Sequence, residues 1–171
     1  LVAKWFSPLL TKGRPSQFVN ISARVGSISD NQLGGWYSYR CSKAALNMIT
    51  RNLSIELERK LPEVICTAIH PGTTDTNLSK PFQRNVRLDR LSTSQETAVK
   101  ILEVTDKLTC RQNGSFLSTD GVPIPWWAFL NKDRREWGTT CKRRIRPFPP
   151  SVVGMKRRWR TICFTPEFLA D

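Results

Sequence analysis

Apolar positions along the first 126 residues fall into two textures, stretches with helical spacing and short continuous runs. The opening stretch "LVAKWFSPLL" reads as part of a helix over 1–11. "SQFVNIS" at 16–22 is β-branched and aromatic and is bounded by Pro15 and a Ser/Gly-containing loop, which predicts a strand. A loop from Ala23 to about Ser38, holding the Gly34-Gly35 pair, leads into a long helical pattern over 39–60. There Leu46, Ile49, Leu53 and Leu57 recur at 3.6-residue spacing, and Ala45, Met48 and Ile55 widen the apolar face. A stripe that broad predicts burial on two sides, against a sheet and against a second body, for which a partner subunit is the candidate. "VICTAI" at 64–69 has the continuous apolar run of a strand covered on both faces. After the polar loop "HPGTTDTNLSKPF", another helix is predicted over 94–108, with a Ser cap and Glu96 in its first turn. "GSFLS" at 114–118 closes the series as a strand. Alternating helix and strand implies an α/β layer fold with a mostly parallel sheet.

Beyond Trp126 the texture changes, and charge marks the change. The chain carries a net +13, and residues 127–171 hold 11 Lys or Arg against 4 Asp or Glu. "CKRRIRPFPPSVVGMKRRWR" has neither helical nor strand periodicity. The expected organisation is therefore one domain over 1–126 and a basic, irregular, disordered extension over 127–171. Five scattered cysteines without a C-x-x-C pair, and a single histidine, His70, argue against a metal site and against a disulfide framework. They favour a reducing, cytoplasmic setting. The longest apolar run, at 122–130, is too short to span a bilayer and contains two prolines. The chain opens on a leucine within helical texture, without a leader pattern, and is expected to be a piece of a longer protein.

In open parallel sheets, ligands sit at the carboxyl ends of the strands. "SARVGS", "HPGTTDT" and the start of the long helix all fall at such ends. Tyr39 and Lys43 stand four apart on that helix, hence on one face. "YSYRCSKAALN" resembles the Y-x-x-x-K signature of the short-chain dehydrogenases/reductases. Around it, "NIS", "GSISDN", the Gly-Gly pair, "HPG" and Thr76 all occur in family order. "HPGTTDTNLSKPFQRNV" and "DGVPIPW" are most similar to the C-factor-like branch, with the sniffer-type carbonyl reductases. The resemblance covers residues 1–126. It implies the C-terminal portion of a doubly wound, Rossmann-like domain and an oxidoreductase acting with NAD or NADP on a small carbonyl or alcohol. Tyr39 would be the general acid. A tyrosine near pKa 10 needs a nearby cation to favour its phenolate at neutral pH, and Lys43 would supply it. Pro71, Gly72, Thr73 and Thr76, with Tyr39 and Lys43, would contact the cofactor.

Two departures qualify the resemblance. Ala23 stands where the family has the serine that polarises the substrate carbonyl, so Ser27, or failing it Ser22, is the candidate replacement. The family's glycine-rich phosphate loop and its catalytic asparagine have no counterpart here, which predicts little activity from this chain alone. The same loss predicts a raw sheet edge and an uncovered apolar face. Two other readings compete. One is a non-catalytic interaction or signalling module, docking or homodimerising through the 39–60 helix. The other is a nucleic-acid binder through "KRRIR" and "KRRWR", disfavoured because no recognised nucleic-acid-binding pattern accompanies these short clusters.

Overall fold

The computed structural model describes residues 2–10, 13, 15–126 and the backbone of 160–164. In chain order these form α1 (Val2–Phe6), β1 (Ser16–Ile21), α2 (Tyr37–Lys60), β2 (Val64–His70) and two short strands, β3 (Thr73–Thr74) and β4 (Leu91–Ser92). Next come α3 (Ser94–Asp106), β5 (Phe116–Ser118) and β6 (Arg160–Phe164). The main sheet has the order β5-β2-β1-β6 and every pairing in it is parallel. This is the expected α/β class with a partial doubly wound sheet. The strand at 16–22, the helix at 39–60 and the strand at 64–69 stand within two residues of their expected bounds.

Helices cover both sheet faces, which is why β1 and β2 are buried almost throughout. Against one face, Val104 and Leu108, from α3 and the turn beyond it, pack with Val19, Ile65, Ile69 and Leu117. Gln17, fully buried on β1, donates its amide to the Thr105 carbonyl of α3 at 2.7 Å. Against the other face, Leu57 of α2 joins Leu10, Phe18, Val64 and Cys66. Burial pushes the Cys66 thiol up to about 12, so it packs as an inert core group.

Four features differ from expectation. The opening helix is short: α1 ends at Phe6 and a 3-10 turn over Ser7–Leu9 carries Pro8, which lacks the N–H an α-helix needs. α3 is capped one residue earlier than expected, by Thr93, whose hydroxyl accepts the Glu96 N–H while the Glu96 carboxylate accepts the Thr93 N–H. The side of α2 that meets the sheet is also not its apolar stripe. Its buried residues are Asn47, Thr50, Ser54 and Leu57, of which three are polar. Leu46, Ile49 and Leu53 are half-buried, and Met48 is 54 % exposed.

The fourth difference is β6, which lies inside the segment expected to lack strand structure and pairs with β1 in the register Ser16↔Arg160 to Asn20↔Phe164. Ser22 N–H donates to the Ile69 carbonyl at 2.8 Å, so the even-numbered amides of β1 face β2. A strand's period of two then turns the Gln17, Val19 and Ile21 amides toward β6. The edge of β1 is thus occupied by β6, where the expectation was a raw sheet edge. The remainder of the 127–171 extension lies outside the described residues.

Candidate active site

β1, β2 and β5 end at Ile21, His70 and Ser118, and α2 begins near the same rim. Tyr39 sits in the first turn of α2 and is 40 % exposed. One turn on, Lys43 Nζ donates to the Ile21 carbonyl at 3.3 Å, at the last residue of β1. The same ammonium lies 5.7 Å from the centre of the Tyr39 ring. The two groups are thereby brought together, as their spacing predicted. Their electrostatics are not those expected: burial pushes the Tyr39 phenol up and the Lys43 ammonium down. Lys43 stands over the ring face with its ammonium on a backbone oxygen, and desolvation outweighs its charge in setting the direction at Tyr39. A neutral phenol that holds its proton is a donor, which suits the reducing direction.

The loop after β1 is fastened to α2 through Asn47 and Gly26, which the sequence did not single out. Ser22 Oγ donates to Asn47 Oδ1 at 2.5 Å, and Asn47 Nδ2 donates to the Gly26 carbonyl at 3.2 Å. Gly26 lies against Lys43 so closely that a Cβ there would stand 2.7 Å from the Lys43 carbonyl carbon. Only glycine fits. Asn47 follows Lys43 by four residues, so the signal that could have found it was its place on the Tyr39–Lys43 face.

Ser27, the preferred replacement for the missing serine, is buried. Its hydroxyl donates to the Pro125 carbonyl at 2.5 Å and accepts the Asp30 N–H at 3.2 Å. Ser22 is equally buried and its proton is held by Asn47. Ala23 is nearly buried and supplies no hydroxyl.

After β2, His70 Nδ1 accepts the Arg24 N–H at 3.2 Å, coupling the loops that leave β1 and β2. Burial chiefly, helped by the Arg24 charge and opposed by Asp30, holds its pKa down at about 4. It is a neutral brace for the rim. Pro71 and Gly72 form the turn, with Gly72 at φ +78° and open space where a side chain would be. Thr73 belongs to β3, paired with Leu91 of β4. The Thr76 N–H donates to Ser79 Oγ at 3.1 Å.

The approach to α2 is unusual. Gly34, Gly35 and Trp36 are consecutive left-handed residues, at φ +66°, +68° and +50°. For tryptophan this backbone costs about 1–2 kcal/mol, so neighbouring contacts must hold it. Arg40 supplies them. Its guanidinium donates to the carbonyls of Gly35, Gly34 and Val25 at 3.0, 3.1 and 3.3 Å and lies 5.8 Å from the Trp36 ring centre.

A polar cleft of about 530 Å³ lies elsewhere, between α3 and the turn after β5, lined by Lys100, Glu103, Lys107, Leu117 and Asp120. It contains none of the predicted site residues and its charges are mixed, so the rim is the better candidate. At the rim, the Gly72 turn leaves open space that would admit the flat nicotinamide end of a dinucleotide. The phosphate end is not matched, because among the described residues no glycine-rich turn joins a strand to a helix in the required spacing. No group of three or more metal-ligating side chains occurs among the described residues, and no helix among them is long and apolar enough to cross a membrane.

The family profile for short chain dehydrogenases matches residues 1–87. A 1-hydroxy-2-glutathionyl-2-methyl-3-butene dehydrogenase of Rhodococcus sp. is 36% identical over 119 residues, 70% of this chain and 50% of that protein. The C-signal protein of Myxococcus xanthus is 33% identical over 120 residues, 70% of this chain and 66% of that one. Among solved structures, the carbonyl reductase Sniffer of D. melanogaster superposes with a TM-score of 0.62 at 31% identity, covering 73% of this chain and 51% of that one. An NADPH-bound carbonyl reductase from chicken fatty liver gives 0.55 at 34% identity, covering 64% and 42%. The chain thus spans from about half to two thirds of the length of these curated relatives. With the family profile on half of the chain, and the tyrosine and lysine together at the rim of a parallel sheet, this chain belongs to the short-chain dehydrogenase family.

Proposed function

We propose that the chain carries the proton-donating side of an NAD(P)-dependent oxidoreductase site of the carbonyl reductase or alcohol dehydrogenase type. The observation that carries this reading is Lys43, which bridges the end of β1 and the face of Tyr39. When bound, the reduced nicotinamide supplies a hydride to the carbonyl carbon. Tyr39 gives its phenolic proton to the carbonyl oxygen and is reprotonated from solvent through its exposed side. Lys43 keeps the ring seated and, once Tyr39 has become a phenolate, neutralises it. Pro71, Gly72, Thr73 and Thr76 would hold the nicotinamide end of the cofactor. For Ser27 to polarise the carbonyl it must exchange its bond to Pro125 for one to substrate. Because the chain spans only part of its relatives' length and no phosphate-cradling turn is found among the described residues, the 171-residue chain alone is expected to show no turnover.

The test is a chimera in which residues 16–126 replace the matching segment of a sniffer-type reductase. NADPH-dependent carbonyl reduction that falls at least 100-fold in kcat with Tyr39→Phe supports the reading. A folded chimera that binds NADPH yet turns nothing over refutes it. NADPH oxidation by the 171-residue chain alone, abolished by Tyr39→Phe, would instead overturn the expectation that this chain shows no turnover by itself.

A second reading rests on the exposed apolar face of α2, where Met48 and Ile55 lie uncovered among the described residues. A homodimer through this helix covers them. Size-exclusion mass separates the cases, since a stable dimer without cofactor affinity favours an interaction module over a reductase.

A further inference from the structure

Trp36 and Phe82 meet edge to face across the rim, with ring centres 5.6 Å apart and planes at 67°. They come from different loops. Trp36 ends the segment after β1, while Phe82 lies in the 3-10 turn Lys80–Asn85, within the segment that leaves β2. Both rings are more than half exposed, Trp36 at 53 % and Phe82 at 56 %, so the pair is not held by a core. What holds Trp36 is Arg40, through three carbonyls and the indole face. What holds the Phe82 turn is a small polar cluster: Ser79 Oγ donates to the Thr74 carbonyl at 2.6 Å, and Gln83 Nε2 donates to Asp75 Oδ1 and to Ser79 Oγ at 2.9 and 2.8 Å. Each half is thus preformed, and the two rings provide the aromatic contact between them. Tyr39 stands one helical turn beyond Trp36, next to the arginine.

We propose that Trp36 and Phe82 form an aromatic latch that sets the position of the 75–90 segment against the start of α2, and that Arg40 is the positioning residue that holds Trp36 in it. Since Trp36 adjoins the first turn of α2, which carries Tyr39, the latch sets how closely the 75–90 segment approaches that turn. Arg40 suits the role because a planar fork can serve three carbonyls and a ring face at once, which an ammonium cannot. The consequence for substrate rests on the reductase reading above; the latch itself does not.

The test is hydrogen–deuterium exchange of the 171-residue chain, which reads the latch without turnover. Arg40→Ala is expected to raise exchange at least tenfold both in 30–36 and in 79–86, although none of the Arg40 contacts described above reaches the latter. Phe82→Leu, at an exposed position, should raise exchange in 79–86 and reciprocally in 34–36. Phe82→Tyr, which keeps the ring, should restore both. The double variant should loosen 79–86 no further than either single change. Faster exchange in 30–36 alone with Arg40→Ala, or an unchanged 34–36 segment with Phe82→Leu, overturns the latch. If Arg40→Ala unfolds the chain, the Phe82 pair still decides. Because no readout involves catalysis, failure of the latch leaves Tyr39 untouched as the acid, and an inactive chimera leaves the latch standing.

Discussion

His70 makes the stability of this fold depend on pH with a sign that the structure determines. Its Nδ1 accepts the Arg24 N–H, and Arg24 and Asp30 are the charged groups acting on it. The ring has an ordinary value of 6.5 when the chain is unfolded and about 4 in the fold, burial being the main cause. Between those values the unfolded chain binds the proton and the folded chain does not, so stability falls as pH drops from 6.5 toward 4. At about 1.4 kcal/mol per unit of pKa, the full loss is about 3 kcal/mol, of which about 2 kcal/mol has gone by pH 5. For a domain of this size that lowers the urea midpoint by about 1 M between pH 7.5 and pH 5. His70→Asn keeps an oxygen acceptor for Arg24 but cannot titrate in this range. Urea unfolding at pH 7.5, 6.5, 5.5 and 5.0 should therefore give a steeper loss for the native chain than for His70→Asn. Every other carboxylate contribution, Glu96 at the α3 cap included, is common to the two proteins. Parallel curves would refute the argument, because they would mean that His70 is hydrated and titrates normally in the fold.

Two further substitutions test the rim. Gly26→Ala places a methyl 2.7 Å from the Lys43 backbone and should cost about 1–3 kcal/mol, read as a lower Tm; a Tm within about a degree of the native value would show that loop and helix are not in contact. Ser27→Ala leaves the Pro125 carbonyl without its donor and should cost about 1–3 kcal/mol, whereas unchanged stability would show that the hydroxyl is free of Pro125 and available to a substrate.

The chain's own periodicities determined its layer architecture. Residues 16–22 and 64–69 read as strands and 39–60 as a helix because apolar spacing reports which side of an element is buried, and those elements formed. The candidate acid and its lysine were equally legible, since four residues along a helix is a local distance. Other features depended on which distant segments meet. The buried face of α2 is the polar line of Asn47, Thr50 and Ser54, because the loop after β1 and the ends of the strands offer hydrogen bonds there; Asn20 donates to Thr50 Oγ1, and Asn113 to the Ser54 carbonyl. Hydrophobicity alone rotates that helix wrongly. Ser27 read as a free hydroxyl until Pro125, far along the chain, proved to be its acceptor. The strand at 160–164 pairs through its backbone with β1, a contact between distant segments that local periodicity does not report. The pKa directions of Tyr39, Lys43 and His70 likewise arise from burial, which only the packed structure determines.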